Sequence, residues 1–255
     1  MKNKSFEHFF SQIEKEIFDI EKIIDNENIR NKYNNDMFCP ECFKAKLTFV
    51  EKTSFRKAHL RRIPSSEHYP KCSYNFEYAT KKMIQSYFNS LDKNQIRDKL
   101  HSIMRMLCKS KIENFSTNKE KYSDIDVSPM LIKENRNVTH TKSLRRKSLN
   151  NFIDKNENGE IYAFYGKGIL RTIEKEGKKE GEKEGEKFKY YFLEIWRRNN
   201  QNEMRKTSSY RGNIKDLIEE NAVYNIVFIG EVIFKNDYPN IKLINKDALL
   251  FQIEE

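Results

Sequence analysis

The chain has 255 residues, room for one large domain or two small ones. Charged residues make up 34% and aromatic residues 13%, which excludes a disordered chain and fits ordered modules joined by solvated segments. The formal net charge of +10 points to nucleic acid or another polyanion as partner, although abundant Lys, Asn and Ile, whose codons are AT-rich, supply part of that charge without selection for binding. No run of about 18 apolar residues is present, so no transmembrane helix is expected. The charged N-terminus lacks the apolar stretch of a signal peptide. The expected location is therefore cytoplasmic, a reducing compartment in which cysteine clusters more often bind metal than pair.

Residues 5–25 carry Phe6, Phe9, Phe10, Ile13, Ile17, Ile20 and Ile24 at helical spacing. This predicts an amphipathic helix, which either packs on its own protein or offers a face to a protein partner. A polar loop over 26–36 follows. Then comes Phe38-Cys39-Pro40-Glu41-Cys42, with His59, His68 and Cys72 in the next 30 residues. Thiolate and imidazole are the ligands zinc prefers, and a structural zinc site takes four of them in a tetrahedron. A two-residue gap lets one turn present both sulfurs to one ion, and the second pair must come from further along. The spacing Cys39-x2-Cys42-x16-His59-x12-Cys72 supplies it and is favoured; the alternative His68-x3-Cys72 also suits one turn. A redox Cys-x2-Cys opens a helix after a strand. No such strand precedes Cys39, and a third cysteine would have no role. The expected cofactor is a structural Zn2+ ion held by Cys39, Cys42, His59 and Cys72.

The Cys-Pro-Glu-Cys knuckle, the β-like run 46–50, the basic segment through His59-Leu60-Arg61-Arg62, and the closing His and Cys resemble the N-terminal zinc domain of the bacterial competence protein CoiA group, over residues 37–75. In that group the domain precedes a restriction-like nuclease domain. The C-terminal half of this chain does not look like that nuclease. The resemblance therefore implies the metal ligands alone, and by analogy a setting in bacterial DNA uptake, mobile elements or defence. Arg56, Lys57, Arg61 and Arg62 flank His59, and zinc modules often present such residues to phosphates.

Residues 75–91 and 94–112 each show an apolar stripe, with Met83, Ile84, Tyr87 and Phe88 on the first and Ile96, Leu100, Ile103 and Leu107 on the second. They are expected to form a helical hairpin supporting the zinc module, with Cys108 as a buried small hydrophobe. Residues 116–148 are rich in Ser, Asn, Lys and Thr and read as a linker ending in the basic run 142–147. The expected organisation is α+β: a helical zinc-finger module over 1–115, a basic linker over 116–150 and a small OB-like β-barrel over 151–255.

The barrel rests on the order of elements. Strands are expected over 160–173, 188–198 and, more weakly, 204–212, then a helix over 213–220, the strongest strand over 223–234 and a last strand or pair over 241–253. Three strands, a helix and two strands is the order of the OB-fold, and Gly166 and Gly230 within strands suit its bends. Residues 174–187 repeat Lys, Glu and Gly and read as a low-complexity loop. On the second strand Phe188, Tyr190, Phe192 and Trp196 alternate onto one face, Leu193 and Ile195 onto the other. An aromatic face flanked by cations suits unpaired bases, each gaining about 1–3 kcal/mol by stacking. The expected nucleic-acid-binding residues are Tyr162, Phe164, Lys167, Tyr190, Phe192, Trp196, Arg197, Arg198, Lys206, Tyr210 and Arg211, with Trp196 foremost.

No Walker-type glycine loop, Gly-x-Ser-x-Gly elbow or His-Glu-x-x-His occurs, and Glu194 is followed two residues on by Trp196, where a restriction-like nuclease needs Lys. The expectation is a zinc-containing, non-enzymatic protein that binds single-stranded DNA or RNA. The alternatives are a protein-interaction adaptor and a component of a nuclease system.

Overall fold

The computed structural model describes residues 4–54, 56–108, 128–133, 141–178, 187–199 and 202–254. Two units form, one from Met1–Ala79 with Lys109–Leu144, the other from Thr80–Cys108 with Arg145–Glu255.

In the first unit, short strands stand where apolar spacing predicts a helix. Residues 5–25 fold as β1 (Ser5–Phe6), β2 (His8–Ser11), β3 (Glu16–Asp19) and the single turn α1 (Glu21–Ile24), followed by α2 (Glu27–Tyr33). β2 and β3 make a hairpin with Phe9 opposite Phe18 and Phe10 opposite Ile17. The buried Asp36 carboxylate sets its turn, accepting from the Ser11 hydroxyl and from Gln12 N at 2.9 Å, while Lys15 takes φ 57°. Aromatic and β-branched side chains suit this pleated setting, and Ile13, which a helical stripe would bury, is 76% exposed. β4 (Leu47–Val50) and β5 (His59–Arg62) join β1 in a sheet ordered β1-β5-β4. Phe6, Leu47 and Leu60 of that sheet pack into one core with Phe9, Ile23, Tyr33 and Met37. β6 (Leu131–Lys133) pairs with β7 (Thr141–Ser143).

The second unit contains α3 (Lys81–Asn89) and α4 (Lys93–Leu107), where the apolar stripes place them. Thr80 caps α3 through Met83 N, and Asp92 with Gln95 closes a capping box on α4. The strands are β8 (Arg145–Ser148), β9 (Ile161–Lys178), β10 (Lys187–Asn199), β11 (Asn202–Gly212), β12 (Val223–Lys235), β13 (Tyr238–Leu243) and β14 (Leu249–Ile253). Among the described residues they form one seven-stranded mixed sheet, ordered β14-β12-β13-β11-β10-β9-β8. β12 also pairs with β9, from Val223 opposite Ile169 to Glu231 opposite Ile161. The pairing path thus turns back on itself around Tyr162, Phe164, Leu193, Ile195, Ile226 and Phe228. α4 packs on β9, β12 and β14. At Gly230 a Cβ would lie 2.7 Å from Lys242 O of the paired strand, so only glycine fits there.

This architecture corrects the expected one. Strand outweighs helix, the N-terminal module is not helical, and a large mixed sheet stands in place of a small OB-like barrel. The helical hairpin belongs to the sheet's unit and not to the cysteine module. Residues 213–220 form no helix; Arg211 and Asp216 pair across that stretch instead. The Lys-Glu-Gly repeat is not all loop, since β9 runs on to Lys178 and β10 starts at Lys187; residues 179–186 lie outside the described residues, as do 109–127 and 134–140 of the expected linker. The basic run 142–147 is not a free tether. Lys142 pairs with Glu77 at 2.5 Å, Arg145 with Glu160 at 3.4 Å and Lys147 with Glu157 at 2.9 Å, and Leu144 is buried.

Candidate functional site

Phe10 and Phe38 exchange backbone hydrogen bonds of 2.9 Å in each direction, which delivers the chain to Cys39. Pro40 and Glu41 turn it. The Phe43 N–H donates to Cys39 O at 2.9 Å, the Cys39 N–H to Ala45 O at 2.8 Å, and Phe43 takes φ 54°. The other two donors come from the turn over 68–72, closed by Cys72 N–H to Tyr69 O at 2.9 Å. Cys39, Cys42, His68 and Cys72 are all buried, and one donor atom from each lies within 4.8 Å of the others. The Cys39 and Cys72 sulfurs are 3.9 Å apart; His68 Nδ1 is 3.3 Å from Cys42 Sγ and 3.4 Å from Cys72 Sγ. A disulfide bond is about 2.05 Å, so the sulfurs are thiols converging on one point, an arrangement compatible with a metal ion.

Neighbours hold these groups in place. The Glu41 carboxylate, inside the knuckle, accepts from Ser73 N and Ser73 Oγ, both at 2.6 Å, and so ties Cys42 to the residue after Cys72. Phe6 and Tyr74 stack with the His68 ring at centroid distances of 5.9 and 5.7 Å. Burial pushes the Cys39 thiol up, and the sulfurs of Cys39 and Cys42 push Cys72 up. Hydrogen bonds from Cys39 and Cys72 hold Cys42 well below the usual thiol range. A cation among the donors is what would let buried thiols this close together ionise.

His59, the histidine that spacing favours, is not in the set. Alternation along β5 sends Leu60 into the core and leaves His59 and Arg61 on the other face, and His59 Nδ1 lies 3.1 Å from Lys57 O. The alternative, His68, meets the sulfurs.

The expected nucleic-acid contacts divide. Tyr162 and Phe164 are core residues; Phe164 is fully buried and stacks on Phe228 at 4.9 Å. Arg211 forms a buried pair with Asp216 at 2.7 Å. Arg197 and Lys206 donate to Asn150 O at 2.8 and 3.4 Å. Lys167 pairs with Glu254, and Arg198 with Glu203 at 2.8 Å. Trp196 is half-buried, its ring against the Arg171 guanidinium at 4.4 Å and its Nε1 donating to Glu194 at 3.0 Å. What stays outward is a cluster of Phe188, Tyr190, Phe192 and Tyr210, with neighbouring ring centroids between 5.4 and 6.0 Å. Phe188 is 43% and Tyr210 57% exposed. Lys175 sits over the Phe192 ring at 5.2 Å. Arg171 and Lys175 reach this face through the β9–β10 register, opposite Glu194 and Tyr190, which periodicity along one strand does not reveal. No family model matches the sequence, and no curated protein and no solved structure is similar to it.

Proposed function

We propose that the protein binds single-stranded nucleic acid on the outer face of β10 and β11, and that Cys39, Cys42, His68 and Cys72 hold a structural Zn2+ ion. The binding reading is carried by the cluster of Phe188, Tyr190, Phe192 and Tyr210, which stays at the surface while Leu193 and Ile195 of the same strand fill the core. Ring area left open beside Lys175 offers unpaired bases a stacking partner and their phosphates a cation. Duplex bases are already stacked and gain little from it.

Zinc is favoured by the donor set and its spacing. A tetrahedron with zinc–sulfur bonds of about 2.3 Å and zinc–nitrogen bonds of about 2.0 Å sets sulfurs about 3.8 Å apart and sulfur and nitrogen about 3.5 Å apart. The separations of 3.9, 3.3 and 3.4 Å agree with this. Four protein ligands leave no open coordination position, so the ion would secure the fold rather than act on a substrate.

Fluorescence anisotropy with labelled single-stranded DNA, single-stranded RNA and duplex DNA tests the binding. The double variant Tyr190→Ala/Phe192→Ala is expected to lose about 5- to 150-fold in single-strand affinity per stacked base, with its metal retained. Unchanged single-strand affinity overturns the reading.

A further inference from the structure

The outer face of the β1-β5-β4 sheet carries positive charge that forms no ion pair among the described residues. Arg61 on the central strand lies opposite Ser5 of β1 and Thr48 of β4, and His59 lies opposite Val50. Directly opposed residues share a face. The paired residues on this face are therefore Ser5, Thr48, Val50, His59 and Arg61, none of them a carboxylate, while Phe6, Leu47 and Leu60 occupy the buried side. Arg56 is exposed just ahead of the strand. Among the described residues neither the Arg56 nor the Arg61 side chain makes an ion pair. Glu51, the acid nearest in sequence, has the opposite parity and pairs with Arg30 at 3.0 Å. In the second unit, by contrast, Lys167, Arg198 and Arg211 each have a carboxylate partner.

His59 senses this unbalanced field. Burial first, then the charges of Arg56 and Arg61, hold its pKa below the usual 6.5. Because the Lys57 carbonyl can only accept, its 3.1 Å contact with Nδ1 assigns the proton to that nitrogen and leaves Nε2 as the one that titrates. The groups facing the ring are Arg61 on its own strand, Arg56 and the Lys57 carbonyl from the segment before it, and Val50 from β4.

We propose that this face binds the phosphodiester backbone of nucleic acid, with Arg56 and Arg61 on phosphates and His59 joining them when protonated. Guanidinium groups beside the hydroxyls of Ser5 and Thr48 match phosphate oxygens. A membrane surface fits less well, because Val50 is the lone apolar side chain of the face and an interfacial anchor needs several. The site lies in a different unit from the aromatic cluster and stands without it. It reads charge rather than bases. A bound phosphate favours the charged imidazolium, so affinity is expected to rise as pH falls through the His59 pKa.

The test uses the full chain, labelled single-stranded and duplex oligonucleotides, and a salt titration. For Arg56→Gln/Arg61→Gln the slope of log affinity against log salt is expected to shrink by about 1.8 on duplex and about 1.4 on single strands, since each phosphate contact contributes about 0.9 or about 0.7. His59→Gln is expected to lose the gain in affinity that the parent shows as pH falls below about 6.5, with metal content unchanged. An unchanged slope overturns the proposal. So does binding to phosphatidylserine vesicles that these substitutions weaken while the oligonucleotide slope stays put. The aromatic face is separable: if Tyr190→Ala/Phe192→Ala leaves single-strand affinity intact while the arginine variant loses slope, that reading fails and this one stands.

Discussion

Arg211 and Asp216 meet in a two-bond pair, Nε to Oδ2 at 2.7 Å and Nη2 to Oδ1 at 3.0 Å, with side chains 7% and 8% exposed. The third guanidinium nitrogen donates to Lys246 O at 3.0 Å, and the Asp216 carbonyl accepts from Thr172 Oγ1 at 2.9 Å. The pair thus fastens the segment after β11 to β9 and to the turn before β14. Asp216→Asn keeps the shape and removes the negative charge, leaving a guanidinium buried against a weaker acceptor. Removing one member of a buried pair costs about 3–5 kcal/mol; since Asn still accepts one bond, a loss of about 3 kcal/mol is expected. For a unit of this size each kcal/mol moves the midpoint by about 3–4 °C, so the thermal transition of the second unit should fall by about 10 °C. Circular dichroism at the strand signal, with urea unfolding as a second measure, follows it. The double variant Arg211→Met/Asp216→Leu leaves no charge unpaired and should lose far less than the single variant. An Asp216→Asn protein within about 0.5 kcal/mol of the parent would refute the reasoning. The double variant should also keep the parent's salt dependence of oligonucleotide binding, because the Arg211 charge is already neutralised.

Protein purified without chelator should carry one zinc ion per chain, and chelation or Cys39→Ser should unfold the first unit while the strand signal of the second persists; a metal-free preparation that is fully folded rejects the site. Glu41→Gln weakens both bonds to Ser73 and is expected to lower metal affinity by about tenfold, read by competition with a zinc-binding dye. Lys99 on α4 lies over the Tyr87 ring, 4.9 Å from its centroid, and burial lowers its pKa from 10.5 to about 8. Between those values the unfolded chain holds a proton that the folded chain has released, so stability should rise with pH from about 8 to about 10.5. Lys99→Met should be more stable than the parent at neutral pH and lack that rise; superimposable urea curves across the range would remove the argument.

Much of the second unit is legible because its signals are local. α3 and α4 show in apolar stripes of helical period with polar caps at Thr80 and Asp92, and β10 and β12 in long runs of aromatic and β-branched residues. Residues 5–25 mislead because Phe9, Phe10, Ile17 and Ile20 satisfy a helical stripe and a hairpin alike. The choice rests with Asp36, 24 residues beyond Gln12, whose carboxylate organises the turn. Tyr162 and Phe164 mislead for a related reason. An aromatic alternating along a strand can face core or solvent, and the curl of the sheet that pairs β12 with β9 places these two inside.

Sequence alone determined which chemistry the chain can offer. Three cysteines at Cys-x2-Cys-x29-Cys spacing, and aromatics on one face of β10, follow from the geometry of a single turn and a single strand. Tertiary structure decided which of those groups meet. Spacing favoured His59 and kept His68 as the alternative, but Phe6 and Leu47, from two other strands, pack against Leu60 and oblige its neighbours to face outward. That leaves His68 to complete the cluster and His59 beside Arg61 on the opposite side of the sheet. The physical reason is the two-residue period of a strand: burying one side chain exposes the next, and which one is buried depends on residues far away in the chain.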